Sequence, residues 1–452
     1  MRAMILLLFI LSAAMRAGAA DITPVEDFFP FGVYIGGNAP VPTLQEKGAP
    51  VEEQIEAACA DLEAHHFNCV WPNNLSPKYL DAWLASAERH GVRVIPQGGG
   101  MPMYLLNAGW WKDRWEPAIE KEVKPFYRDI AKKYRDNPAL LAYSIVEEIP
   151  PDSPFFPHIA AITREMATLD PNHPVIVLYN RVTAAARAAR EIKPRAIGYD
   201  IYPFFATPSG PQTWPAQRSF YERQIARFYQ AARECNAPLW VMAQAWSSRA
   251  VNDKGETTKW LMSRPTPAQM RYQIWAALFQ GAKGMFFYSY QGPTGPKKGQ
   301  LDEHLRDCNG QPLEHYEEAA QVSRQLDPIK PLLLHLDVAP ADRQVVYWEN
   351  LPDVHGQTFL HRDTGDRYLM ALNTDLSQPQ PVNLEFGYFQ HTLSFDDRFF
   401  DLETGTPRKG ADLRELTISP GAGRVFLVGQ EDAWRRHKEW MAKNGERKKG
   451  QR

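Results

Sequence analysis

The sequence predicts an α/β protein: a (β/α)8 TIM barrel followed by a small C-terminal β-sandwich. Three observations carry that expectation. From about residue 31 to 330 one phrase repeats, a short apolar strand, a polar loop and an amphipathic helix, and it repeats eight times, the number that closes such a barrel. The strand phrases are almost continuously apolar, the pattern of strands buried on both faces of a parallel sheet. After about residue 335 the texture turns to short strands, several with period-two alternation, separated by turn signals.

The expected barrel strands are Phe31–Gly36, Asn68–Trp71, Val92–Pro96, Leu141–Val146, Pro174–Tyr179, Ala196–Ile201, Leu239–Ala243 and Gly284–Tyr290. Helical phrases lie between them. Val51–His66 carries Ile55, Ala58, Leu62 and His65 at helical spacing. Ser76 is placed to cap a helix with Pro77 in its first turn, ending at His90 before Gly91. Trp115–Asp136 reads as a long helix closed by Asn137-Pro138, and Thr266-Pro267 is a second cap-and-proline start. Further helices are expected over Pro154–Leu169, Val182–Ile192, Pro215–Cys235, Thr266–Gln280 and Pro312–Leu326. A doubly wound open sheet is the competing architecture, but Gly36-Gly37-Asn38 lacks the glycine spacing of its phosphate turn.

The later strands are expected at Val345–Trp348, Gln357–His361, Tyr368–Asn373, Gln380–Phe386, Thr392–Asp401, Glu415–Ser419 and Gly423–Val428. The domain plan is therefore a signal peptide over residues 1–19, a barrel over 20–335, a sandwich over 336–430 and a basic helical tail over 431–452. Arg2, the apolar run Ile5–Leu11 and Ala17-Gly18-Ala19 make the signal peptide, so the expected location is secreted or periplasmic. No later run is long and apolar enough to span a membrane. A net charge of −2 gives no reason to expect nucleic-acid binding. Cys59, Cys69, Cys235 and Cys308 match neither a zinc nor a redox spacing and are expected as free thiols.

Barrel chemistry gathers at the C-terminal ends of the strands. Reading those ends in order gives Tyr34; Trp71 and Asn73; Gln97 before a Gly98–Gly100 turn; Glu147 and Glu148; Asn180; Asp200 and Tyr202; Gln244 and Trp246; Tyr288 and Tyr290. Amides and carboxylates hydrogen-bond hydroxyl groups, and aromatic rings stack on the C–H faces of sugars, so a carbohydrate is the expected partner. Lys and His are scarce among these ends, and neither a phosphate cradle nor a metal site is expected. No cofactor is called for. Glu147-Glu148 follows a buried strand and precedes Pro150-Pro151, which places a carboxylate pair in a loop at the catalytic face. Glu148 is the expected acid, Glu147 its neighbour that raises its pKa, and Asp200 the other catalytic candidate. The remaining strand-end residues are expected to bind substrate.

Five phrases resemble the clan-A glycoside hydrolases, most of all secreted bacterial proteins similar to family 42 β-galactosidases. They are Asn137–Glu148, Ile197–Pro203, Trp240–Trp246, Arg264–Met270 and Gly281–Tyr290. The resemblance implies a secreted glycosidase that cleaves O-glycosidic bonds, with Glu148 as its acid/base. Two positions depart from the pattern: Glu147 stands where clan A has Asn, and Gln244 stands where it has a nucleophilic Glu. A Gln cannot form a glycosyl ester. Three routes stay open. Asp200 supplies the second carboxylate, or the acidic pair works with an acetamido group of the substrate as in hexosaminidases, or the barrel binds sugar without cleaving it.

Overall fold

A computed structural model describes residues 22–98, 117, 119–207, 210–211, 213–254, 256–292, 300–386, 393–394 and 396–449. The expected signal segment, Gly99-Gly100, the start of the Trp115–Asp136 helix and the first part of the Thr392–Asp401 strand lie outside the described residues.

Eight strands form one parallel sheet: β1 Phe31–Gly36, β2 Cys69–Asn73, β3 Arg93–Val94, β4 Tyr143–Glu147, β5 Val175–Tyr179, β6 Ile197–Ile201, β7 Leu239–Gln244 and β8 Gly284–Tyr288. Their order is β3-β2-β1-β8-β7-β6-β5-β4. Parallel bridges Val94↔Leu140 and Gln97↔Ser144 join the two edges, with Ser144 N donating to Pro96 O at 3.1 Å, so the sheet closes on itself. Closure removes both edges and leaves every strand buried. Each strand is followed by its helix: α1 Val51–Ala64, α2 Leu80–Arg89, α3 Lys124–Tyr134, α4 Phe156–Leu169, α5 Val182–Glu191, α6 Trp214–Glu234, α7 Pro267–Phe279 and α8 Glu314–Leu326. No helix among the described residues is long and apolar enough to cross a membrane.

The period of two along each strand sorts the side chains. Trp71, Ile95, Ile176, Leu178, Trp240, Met242 and Phe286 fill the barrel interior. Their neighbours Val33, Val70, Val177, Val241 and Phe287 join the layer beneath the helices. Beyond the interior layer, inward positions reach the open C-terminal end, and this puts Tyr34, Asn73, Gln97, Glu147, Asp200 and Tyr288 around one mouth.

Local signals behave unevenly. Thr266 accepts from Gln269 N while the Gln269 side chain accepts from Thr266 N, a complete capping box at α7. Gly91 takes φ +63° after α2, where a Cβ would be strained. Ser76 makes no side-chain cap; its N–H instead bonds the Asn38 side chain at 2.8 Å. The long helix ahead of Asn137 is split into a π turn, Ile119–Val123, and α3, which starts beside Pro125, a residue with no N–H to continue the ladder. A three-stranded antiparallel sheet, Ser247–Val251, Thr257–Met262 and Gln300–Glu303, follows β7 and was not expected from the sequence.

After the barrel, six strands form an antiparallel sheet in the order Leu336–Val338, Val354–His361, Arg367–Asn373, Gly423–Gly429, Arg398–Asp401, Pro407–Arg408. Two ribbons, Val346–Glu349 with Leu384–Phe386 and Gln380–Pro381 with Thr417–Ile418, close its outer core around Leu369, Phe399 and Phe426. The other face lies on the barrel. Gly423 sits directly over Trp275 of α7, where a Cβ would come within 2.4 Å of the indole. Arg271 of α7 donates to Pro420 O at 2.7 Å, and Trp214 of α6 to Thr374 O at 2.9 Å. The helix Glu431–Lys449 then packs Trp434 flat on Phe400 of this sheet. These contacts fall on helices α6 and α7 of the barrel. All four cysteines are free thiols, Cys59 and Cys69 buried.

Candidate active site

The mouth is built around β4. Tyr143 faces the helices, Ser144 pairs inward with Ile176, and a register shift between Ser144 and Glu147 brings Glu147 opposite Leu178, an inward residue. Without that bulge, strict alternation from Ser144 would turn Glu147 toward the helices. Glu148 follows in the left-handed region, φ +49°, with its N–H on Leu178 O at 2.6 Å. Two consecutive carboxylates thus reach the barrel end. Left-handed backbone at a residue with a side chain is strained, and such strain concentrates at functional positions.

Glu147 is held from two other strand ends, those of β1 and β3. Tyr34 Oη of β1 donates to Glu147 Oε1 at 2.5 Å and lies 3.2 Å from Gln97 Oε1. Gln97 also bonds Glu147, and Asn73 bonds Tyr34. Burial nevertheless dominates. It lifts the Glu147 carboxyl to about 7, the bonds from Tyr34 and Gln97 pulling down and the charge of Glu148 pushing up. Asp200 of β6 is 6% exposed. It is raised well above the ordinary aspartate value, first by burial, then by its hydrogen bond to Glu148 and the charges of Glu148 and Glu147. Two carboxyls in hydrogen-bond contact share a proton. Asp200 Oδ1 is buried with no partner among the described residues.

Aromatic rings wall the acids. Tyr288 lies 5.3 Å from Tyr34, 5.7 Å from Tyr202 and 6.0 Å from Trp246, and Tyr202 meets Trp246 edge-on at 6.0 Å. Trp71 stands 6.3 Å from Tyr34 but is wholly buried in the barrel interior, below the mouth. Burial and the neighbouring acids raise the Tyr202 hydroxyl far above its ordinary value, so it stays a protonated donor. His304, which the sequence reading missed, lies 6.4 Å from Tyr288 and shares a 2.8 Å hydrogen bond with Ser289 Oγ. Nothing in its local sequence marks it; only the chain's return after β8 brings it there.

Besides Trp71, three strand-end residues do not join this group. Gln244 is completely buried, and its amide is fully engaged: Oε1 accepts from Phe204 N at 2.9 Å, and Nε2 donates to Trp246 O at 3.1 Å and Ser263 O at 2.9 Å. It ties the β6 and β7 loops together and offers nothing to a ligand. Tyr290 is turned outward, because β8 ends at Tyr288 and the alternation ends with it. Its hydroxyl donates to Asp61 of α1 at 2.8 Å beside Tyr316 and Arg306. Asn180 is exposed at the rim.

No protein-family model matches the chain. Mannan endo-1,4-beta-mannosidase F of Aspergillus clavatus is 28% identical over 109 residues, which cover 21% of this chain. The match spans about a quarter, 25%, of the length of that curated relative. Among solved structures, a family 5 glycoside hydrolase from Bacteroides vulgatus aligns with a TM-score of 0.55 at 12% identity, covering 90% of each chain. A family 39 glycoside hydrolase from Bacteroides cellulosilyticus WH2 aligns at 11% identity and a TM-score of 0.45, over 90% of this chain and 82% of that one. The chain therefore has the α/β-barrel fold seen in the family 5 enzyme.

Proposed function

We propose that the protein is a glycoside hydrolase, exported by its N-terminal segment, that cleaves O-glycosidic bonds of an oligo- or polysaccharide. One observation carries the reading: Glu147, Glu148 and Asp200 meet at the C-terminal end of the barrel beneath Tyr34, Tyr202, Trp246 and Tyr288. Glu148 is the general acid. It stands at the end of β4 in hydrogen-bond contact with Asp200, whose own carboxyl is raised well above the ordinary aspartate value. The rings supply flat faces for a pyranose, and the acids and Tyr202 supply hydrogen bonds to its hydroxyls. The likeness to the family 42 group noted in the sequence belongs to the same reading.

The test is incubation with a broad glycan library, with products followed by mass spectrometry. New reducing ends from at least one glycan are expected. A second reading, a barrel that binds sugar without cleaving it, draws on Gln244, which holds the usual nucleophile's place with every polar atom engaged. Saturable glycan binding with no product would establish that reading and overturn the first.

A further inference from the structure

Two-carboxylate glycosidases hold their acids about 5–5.5 Å apart when one attacks the sugar, or about 6.5–9.5 Å apart when water does. Glu148 and Asp200 are in hydrogen-bond contact, closer than either arrangement. Asp200 therefore cannot stand across the anomeric carbon from Glu148. Gln244 is sealed, and Glu303, the carboxylate of the sheet after β7, is paired with Arg249 and Arg264 at 3.2 Å each. Glu147 is on the same strand end as the acid, bonded to Tyr34 and Gln97. None of these three carboxylates is free to stand opposite Glu148.

Asp200 adds a positive indication. Its carboxyl is in hydrogen-bond contact with Glu148, and its Oδ1 is buried with no donor among the described residues. A buried acceptor without a donor is unfavourable, so this oxygen calls for a ligand N–H or O–H. An N–H next to the anomeric centre meets both requirements, because an acetamido group at C2 also carries the missing nucleophile, its carbonyl oxygen.

We propose, building on the hydrolase reading, that the substrate is a 2-acetamido-2-deoxy-hexoside and that its own acetamido oxygen attacks the anomeric carbon. In the first step that oxygen bonds to C1 as the C1–O bond to the leaving group breaks, and Glu148 gives the pair's proton to the departing oxygen. A cyclic oxazolinium forms, its N–H⁺ on the Asp200 carboxylate, which is left without the shared proton and complements the charge. In the second step water attacks C1, the ring reopens to the amide, and Glu148 takes the water's proton. The pair regains its proton, and the product keeps the anomeric configuration of the substrate.

The test compares N-acetylated hexosamine oligomers with their de-N-acetylated forms and with neutral hexose oligomers such as mannan fragments. The N-acetylated oligomers should be cleaved at least about a hundredfold faster. N-trifluoroacetylation, which weakens the attacking oxygen, should slow the reaction steeply, and a thiazoline analogue of the bicyclic intermediate should inhibit the wild-type protein. Asp200→Asn should lower kcat far more than it raises KM, and the inhibition arm holds even where that variant fails to fold. Equal cleavage of neutral or de-N-acetylated oligomers would overturn the proposal and leave the hydrolase reading intact. So would a covalent glycosyl ester on Glu147 trapped with a 2-deoxy-2-fluoro glycoside. No cleavage of any glycan would overturn both.

Discussion

The ends of β4 and β7 occupy equivalent places in one barrel and are built in opposite ways. At β7, Gln244 is wholly buried and every polar atom of its amide has a backbone partner. At β4, two consecutive carboxylates are drawn into the same mouth as Asp200, and burial pushes both Glu147 and Asp200 upward. An amide can donate and accept, so a neutral side chain closes the β7 end without residual charge. Carboxylates can only accept while ionised, and three of them together leave repulsion and an unpartnered oxygen. Satisfied polar groups hold loops; frustrated ones await a ligand. In the proposed reading chemistry belongs to β4, while Gln244 serves the architecture of β7.

The sharpest way to break the contrast is to remove the acid. Glu148→Gln should reduce turnover by about a thousandfold, with thermal unfolding within a few degrees of wild type. Initial-rate assays beside calorimetry check both halves. Gln244→Ala should do the reverse, destabilising the fold by about 3 kcal/mol, since three backbone groups lose their partners; urea unfolding measures it. Restoring a carboxylate with Gln244→Glu should give no gain in turnover, because a carboxylate cannot donate to Trp246 O and Ser263 O.

A comparable stability effect follows from Glu147. Its carboxyl titrates at about 7 in the fold against an ordinary 4.5. Below the lower value both folded and unfolded chains hold the proton and stability is unaffected. As pH rises through the window between, the unfolded chain ionises first, and the fold loses roughly 3 kcal/mol by the time the upper value is passed. Glu147→Gln should abolish that slope, making the variant more stable than wild type at about pH 8 and no more stable at about pH 4. Denaturant titrations at the two pH values decide it. The smallest effect belongs to Tyr290→Phe, which loses one hydrogen bond to Asp61 and should lower stability by about 1 kcal/mol without changing kcat.

Much of the barrel was legible because buried parallel strands are short apolar runs, and eight of them fell where eight strands lie. The interior side of each strand was legible wherever alternation ran unbroken, as along Tyr34 or Asp200 and Tyr202. It failed where alternation stops. Tyr290 was expected to bind substrate beside Tyr288, but β8 ends between them. The bulge before Glu147 was equally invisible, since pairing register is set by the neighbouring strand rather than by the chain itself. Gln244 was read as a binding amide because composition does not reveal which backbone groups will need a donor. The hydrogen bond between Glu148 and Asp200, 52 positions apart by their numbering, exists only once the barrel is closed.

The most direct measurement is a crossed comparison of Glu148→Gln and Gln244→Ala, with turnover divided by the folded fraction of each. The expected result is a stable, folded Glu148→Gln protein with almost no activity. It includes a Gln244→Ala protein that unfolds readily yet turns over near the wild-type rate for the fraction that is folded. Wild-type turnover by Glu148→Gln, or a fully folded but inactive Gln244→Ala, would contradict it.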